Sequence, residues 1–171
     1  HIRLRVPATG ATHVTVKAGA EFLTQSAGLA LATAEAEATR AARQSGAVAF
    51  RAMADGALHS PHNRMIIHDY LGAMTILPKG ATSAALQDAG RTLTLHVGDW
   101  VVFEEVLDPD TGNASPDPAR RHVVRLTKLT LGSDPIGQLD GANVPVPLDL
   151  LHIEWGKDDA LPLAMPLQQV V

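Results

Sequence analysis

Alternation of apolar and polar residues is the feature that most limits what this chain can fold into. Apolar and polar residues alternate from Leu93 to Val97, with the two-residue period of a strand that has one buried face. Gly98-Asp99 follows and predicts a tight hairpin turn before the apolar run that starts at Trp100. Similar runs occur later in the chain, so we predict strands at about 93–107, 121–131 and 148–155.

The composition limits both the size of the core and the kinds of partner. The 171 residues fit one ordinary domain or two small ones. Alanine accounts for 27 of them and only six side chains are aromatic, so each buried residue removes little apolar area from water. The net charge of −4, with mixed signs along the chain, disfavours nucleic acid as a partner. The apolar runs are shorter than the roughly 20 residues of a membrane-spanning helix, so we also expect no membrane insertion.

The chain contains no cysteine, which excludes disulfide bonds, thiolate metal sites and a cysteine nucleophile. It begins at His1 without a methionine and without the layout of a signal peptide, and it ends abruptly at Val171. We therefore expect these residues to be a segment of a longer polypeptide.

The first 47 residues combine short strands with an alanine-rich segment. Residues 29–44 have high helix propensity, with acids in the first half and arginines in the second, and Ser45-Gly46 ends the pattern. The segment lacks a wide apolar stripe, so it is either a crossover helix or a linker. Short strands are predicted around it at 2–6, 14–16 and 21–24.

Turn-forming residues divide the rest of the chain. They predict a polar turn at 59–63, an exposed loop at 108–118 and an irregular region at 132–147. We divide the chain into an N-terminal part, 1–47, and a β-rich domain, 48–171. The predicted fold is mainly β with at most one or two helices, and its C-terminal half forms a small antiparallel barrel or sandwich. Further strands are predicted at 48–53, 65–68, 75–77 and 81–86.

The histidines are the best candidates for a metal site. His59 and His62, with His68-Asp69 nearby, offer imidazole and carboxylate ligands that suit zinc or iron. Pro61 disfavours a regular helix between the first two, and histidines three residues apart in a turn are common without a metal. We therefore predict no metal ligands here.

The remaining candidate chemistry is weak. Glu104-Glu105 are neighbours on a predicted strand and point to opposite faces, and Asp158-Asp159 lie in an apparent turn. No Gly-x-Ser-x-Gly elbow and no glycine-rich phosphate loop is present. We predict no catalytic residue, no cofactor and no enzymatic activity. Trp100 and Trp155 could form a platform for a sugar, but packing in a core or an interface is the favoured interpretation.

A series of short segments resembles one protein family. In their order and spacing they are similar to the baseplate assembly proteins, the J-like wedge proteins of contractile phage tails and extracellular contractile injection systems. Family members often carry a Tyr-x-Trp-Gly-Asp stretch and paired cysteines, where this chain has Tyr70-Leu71-Gly72 and Thr75-Ile76. The matching segments are Phe50-Arg51-Ala52, His62-Asn63-Arg64, Leu77-Pro78-Lys79-Gly80-Ala81-Thr82-Ser83-Ala84-Ala85-Leu86, Gly98-Asp99-Trp100-Val101-Val102-Phe103-Glu104-Glu105-Val106, Asp110-Thr111-Gly112, Arg121-His122-Val123-Val124-Arg125-Leu126-Thr127, Ile153-Glu154-Trp155 and Asp158-Asp159-Ala160-Leu161-Pro162.

The resemblance implies a structural part of a sixfold baseplate that links the hub and spike to the sheath. Its partners would be other baseplate subunits, and it would be assembled in the bacterial cytoplasm and carried in a phage tail or injection particle. Two alternatives remain open at this point. One is a β-module that binds carbohydrate or a cell surface, and the other is a metal-dependent hydrolase built around His59, His62 and His68.

Overall fold

The computed structural model describes Val6 and residues 13–24, 36–106 and 120–167. The chain divides into two compact units, His1–Asn63 and Arg64–Val171. Sequence analysis placed the boundary at residue 47, but the strands just after that position pair with strands before it. The predicted strand at 2–6, apart from Val6, and the predicted loop at 108–118 lie outside the described residues.

The N-terminal unit contains two short antiparallel pairs and one helix. Strand β1 (His13–Val16) pairs with β4 (Gly56–His59), and β2 (Glu21–Leu23) pairs with β3 (Ala49–Arg51). The carboxylate of Asp55 supports the turn after β1, because it accepts hydrogen bonds from the Ala18 amide and the Lys17 ammonium, each at 2.8 Å. Strands were predicted at these places, apart from β4, which the sequence analysis missed.

Helix α1 spans Ala36–Gln44, so the second half of the predicted segment 29–44 is helical and the first half lies outside the described residues. The helix ends at Ser45-Gly46 as predicted. The Ser45 hydroxyl donates to the Ala42 carbonyl, and Gly46 has a φ of 86°, a left-handed conformation that glycine adopts without strain. Arg43 forms an ion pair with Glu21 of β2, which ties the helix to the first strands.

The C-terminal unit is built on one four-stranded antiparallel sheet. Its strand order is β6-β9-β8-β7, so the two long strands lie in the middle. A two-stranded sheet of β5 and β10 completes the unit. The strands are β5 (Ile76–Leu77), β6 (Ser83–Gln87), β7 (Trp100–Glu104), β8 (Arg121–Leu139), β9 (Pro145–Trp155) and β10 (Met165–Pro166).

One face of the four-stranded sheet carries the main core. Alternate residues of each strand point to this face, which is the period-2 pattern expected of a half-buried sheet. Ring centroids of Phe103 and Trp155 lie 5.1 Å apart within it. A smaller buried cluster, Ala85, Leu148 and Leu150, includes the two leucines that alternate with the core residues of β9. The main core contains Leu77, Ala84, Leu86, Val101, Phe103, Val124, Leu126, Leu151, Ile153, Trp155 and Leu161.

The mainly β class with one α-helix is confirmed, and the sheet is open. Within the described residues β6 and β7 are its two edges, so the closed-barrel form of the prediction is wrong. Closure would require these edges to pair with each other, and the main core is instead covered by β5, Leu161 and the segment that carries Leu93 and Leu95. No helix among the described residues is long and apolar enough to cross a membrane.

Two predicted segments have a different conformation from the one expected. Residues 93–97 are irregular, although Leu93 and Leu95 still pack on the core, and the turn at Gly98 confirms the predicted break before β7. The Leu93 amide donates to the Asp88 carboxylate instead of to a strand. The region 65–68 likewise makes only one bridge, between Ile67 and Leu86.

The region 132–147 is mostly strand, where a loop was predicted. Strand β8 continues to Leu139 and β9 starts at Pro145, so only residues 140–144 form the connecting turn. The ladder shifts register between Asp134 and Gln138, and this bulge places Pro135 where no ladder hydrogen bond is needed. Gly137 fits in the bulge because a Cβ there would lie only 2.8 Å from the Leu148 Cβ.

The core position of Ile153 gives a stability prediction. Its side chain is fully buried, so Ile153→Ala should lower the free energy of unfolding by about 2–5 kcal/mol through lost burial and a residual cavity. Urea unfolding followed by tryptophan fluorescence measures the change. Leu163→Ala is the matched control, because Leu163 is exposed and its truncation should cost far less. Equal losses in the two variants would contradict the assigned core.

Candidate functional site

Of the histidines that were considered as metal ligands, two lie close together in the N-terminal unit and the third lies in the C-terminal unit. His59 lies at the end of β4 and His62 lies in the 3₁₀ turn Ser60–Asn63, and their ring centroids are 5.2 Å apart. His13, opposite His59 in the β1–β4 pair, adds a third ring at 6.1 Å from His59. His68 belongs to the other unit. In the part of the chain that the structure describes, no three His, Asp or Glu residues form a group able to hold a metal ion.

His68 is fully buried and its ring is held by Asp134. The Nε2 of His68 donates to the Asp134 Oδ2 at 2.9 Å, and the ring packs on Tyr70 with centroids 4.4 Å apart. The backbone of His68 also donates to the Ala85 carbonyl of β6. Through these bonds, the segment before β6 is anchored to the bulge of β8. His68 is therefore a structural residue that joins elements distant in sequence.

The electrostatics of this pair favour the ionised carboxylate. The hydrogen bond from His68, and then the one from the Ile136 amide, lower the pKa of Asp134 below its ordinary value of 3.8. A buried imidazole and a charged carboxylate that share a hydrogen bond also form a pairing of the kind used in catalysis. Here, however, the pair lies beside the buried cluster of β9. Its other hydrogen bonds join it to the backbone of Ala85 and Ile136.

The carboxylate pairs are engaged in local contacts. Glu104 lies 3.5 Å from Arg121 and Glu105 lies 3.3 Å from Arg120, so the two acids have separate partners. Asp159 accepts the Arg125 amide through its side chain, and its main-chain carbonyl lies 2.8 Å from the His122 Nε2. These contacts fasten the 3₁₀ turn Lys157–Asp159 to β8 and bring no two carboxylates to a common site.

The two tryptophans have opposite surroundings. Trp155 is 4% exposed and lies in the core, as predicted. Trp100 is 64% exposed, so it does not pack in the core of this chain, and packing in an interface stays a prediction for this residue. It starts β7 and points away from the core face, because the buried positions of that strand are Val101 and Phe103.

Trp100 belongs to an exposed surface that we call the β7–β8 patch, made of Trp100, Val102, Val123 and Arg125. These residues form two directly opposed pairs in the ladder, Trp100 with Arg125 and Val102 with Val123, so they share one face. The Arg125 guanidinium carbon lies 5.7 Å from the Trp100 ring centroid. The patch is apolar at its centre and carries one cation.

A second exposed feature is the ribbon of residues 132–149, which we call the arm. Within the described residues its two strands pair only with each other, because β7 pairs with β8 before Leu126 and β6 pairs with β9 after Asp149. Three large apolar side chains are more than half exposed on it: Ile136, Leu139 and Val144. Its base is held by Arg91, which donates to the carbonyls of Gly132 and Leu150.

The two-stranded form of the arm was not predicted, because it lies in the segment predicted as irregular. The patch residues are interspersed with core residues of the same strands. One sequence signal could have indicated the arm: no lysine or arginine occurs between Lys128 and Lys157, although this stretch holds four acids.

In the N-terminal unit, an open apolar cleft of about 380 Å³ is lined by Val16, Phe22, Phe50 and Leu58 among others.

The lowered pKa of Asp134 predicts how stability varies with pH. A carboxyl whose pKa is lowered on folding stabilises the folded state above its unfolded value, and this contribution is lost as the pH falls through the folded pKa. Asp134→Asn should therefore destabilise the protein at pH 7, and the difference from wild type should shrink as the pH drops below about 4. Urea unfolding at several pH values measures it.

The control for this experiment is Asp158→Asn, because Asp158 is an exposed acid in the same unit. This variant should leave the pH dependence of unfolding close to that of the wild type. A constant difference between Asp134→Asn and wild type from pH 7 to pH 3 would contradict the assigned electrostatic role.

Comparisons of the chain with models of known families, with curated proteins and with solved structures find no match. The arm, the β7–β8 patch and the sequence resemblance are therefore the observations that bear on function.

Proposed function

We propose that this chain is a structural, protein-binding component of a contractile-tail or injection-system baseplate, a wedge segment that links the hub and spike to the sheath. The main support for the docking role is the exposed arm. It is a two-stranded ribbon with a fixed base and exposed apolar side chains along its length. The resemblance of the matching segments to baseplate assembly proteins is the support for the kind of assembly that we propose.

The physical argument starts from the cost of exposing such an element. A two-stranded ribbon alone is marginally stable in water, and apolar side chains on unpaired strand edges invite pairing with another chain. In this protein the ribbon continues from the central strands of a packed sheet, so its conformation is maintained without a partner. An ordered apolar projection of this kind binds with little loss of conformational freedom.

The proposal also rests on the contacts that the polar side chains make. The buried histidine, the glutamates of the β7 end and Asp159 are all engaged in bonds between secondary-structure elements. Such bonds hold a scaffold together. We propose that the chain has no catalytic role and is assembled in the bacterial cytoplasm as one of several baseplate subunits in a sixfold particle.

The particle itself tests this function. In cells that make it, the full-length parent protein with Leu139→Asp and Val144→Asp should yield incomplete or missing baseplates, because two new charges prevent burial of the arm. Negative-stain electron microscopy counts the complete particles. Leu163→Asp, an equally exposed apolar position outside the arm and the patch, is the matched control and should assemble normally. Normal, contractile particles from the double variant would contradict the docking role.

A second candidate, binding of carbohydrate, is favoured by one observation, the exposed ring of Trp100 on a sheet face. Arg125 already lies over that ring, which reduces the area open to a sugar. The docking proposal predicts no saturable change of tryptophan fluorescence across a panel of sugars. A saturable response in the wild type that disappears in Trp100→Phe would instead establish the carbohydrate-binding function.

A further inference from the structure

We infer that the arm of one copy docks on the β7–β8 patch of a second copy, so that copies associate head to tail. The inference names the partner of the arm and rests on the docking role proposed above. Both surfaces belong to the same unit of the chain. Each carries exposed apolar side chains, and the patch adds a cation where the arm adds an acid.

The apolar parts of the two surfaces match in kind, with three exposed apolar side chains on each. The patch presents Trp100, Val102 and Val123, all exposed on one sheet face. The arm presents Ile136, Leu139 and Val144. Aromatic and aliphatic side chains buried against each other at the centre of an interface supply most of its binding free energy.

The charges are complementary as well. Among the described residues the Arg125 guanidinium has no carboxylate partner, and its closest polar contact is the Gly98 carbonyl at 3.3 Å. At the tip of the arm, Asp140 uses Oδ1 to accept the amides of Ala142 and Val144, and its Oδ2 makes no bond within the described part of the chain. No lysine or arginine occurs from residue 129 to residue 156, and Arg91, which lies at the base of the arm, is paired there with Asp149 at 2.8 Å.

The two surfaces are held too far apart to meet within one copy. Arg125 and Ile136 are eleven residues apart on β8, a distance of roughly 35 Å at the rise of an extended strand. Because β8 is paired with β9 beyond the patch, it cannot fold back on itself to bring them together. Contact between the arm and the patch therefore requires a second molecule.

The strand edges limit the form of this contact. Within the described residues, strand β7 is an edge of the sheet and has five residues, and the arm half of β9, Pro145 to Asp149, has the same number. Because Pro145 and Pro147 have no N–H to donate, an arm strand laid along this edge would meet the patch mainly through side chains. Two different surfaces in contact make a heterologous interface, which closes into a ring when the rotation between copies allows it.

The absence of cysteine allows a direct test by disulfide trapping. The purified chain is made as two single-cysteine variants, Val102→Cys in the patch and Leu139→Cys in the arm, one of them carrying a tag that changes its mass. After equal amounts are mixed and mildly oxidised, we expect the mixed disulfide dimer to exceed the sum of the two same-variant dimers, which is the amount that random pairing would give. The double variant, with both cysteines, should form a series of longer covalent oligomers.

Two neutral substitutions test the charge pairing in the same assay. Arg125→Gln, or Asp140→Asn, which keeps the acceptor oxygen for the turn amides, should lower the yield of mixed dimer by up to about fivefold. Added salt should likewise lower the yield of mixed dimer from the Val102→Cys and Leu139→Cys pair that keeps Arg125 and Asp140.

The control pairs Leu139→Cys with Leu163→Cys, an exposed residue outside both surfaces. A mixed dimer no more abundant than in this control, or no more abundant than the two same-variant dimers together, would overturn the head-to-tail contact. Because the assay uses the purified chain alone, this outcome is distinct from a failure of the baseplate proposal, which the particle experiment decides separately.

Discussion

The structure of the C-terminal unit depends on the pairing of β8 with β9. In the part of the chain that the structure describes, β6 joins the sheet only through β9, and β7 joins it only through β8. The two faces of β9 supply both buried clusters, with Leu151, Ile153 and Trp155 on one side and Leu148 and Leu150 on the other. A strand that is apolar on both faces must lie in the middle of a sheet. From this position, the ladder of β8 and β9 extends beyond the ends of β6 and β7.

The same ladder explains why the polar residues have structural roles. The bulge after Asp134 turns its carboxylate towards the buried His68, and the hydrogen bond gives the Nε2 of His68 an acceptor where water is excluded, whereas the Nδ1 of the ring is buried without a partner among the described residues. At the other end of the sheet, Asp159 accepts the amide of Arg125. These bonds connect segments that are distant in sequence, so each one reduces the freedom of the chain between its partners.

The extension of β8 and β9 beyond their neighbours has a functional consequence. It produces the arm, whose apolar side chains are covered by no third strand among the described residues, and it separates the arm from the β7–β8 patch by a fixed length. Two exposed apolar surfaces at a fixed spacing allow a subunit to bind neighbours in a defined geometry. The proposed docking role and the inferred head-to-tail contact both follow from this arrangement.

Local properties of the sequence determined the β class, the turn at Gly98 and the end of α1 at Ser45-Gly46, because alternation and turn chemistry act over a few residues. The candidate surfaces could not be predicted in this way. Pro135 and Gly137 indicated a loop, but a bulge accommodates them within a ladder. The partner of His68 lies 66 residues away, and the exposure of Trp100 depends on which strands flank β7. Only the tertiary structure decided these points, since they depend on pairing between distant segments, and a local pattern of residues carries no information about its eventual neighbours.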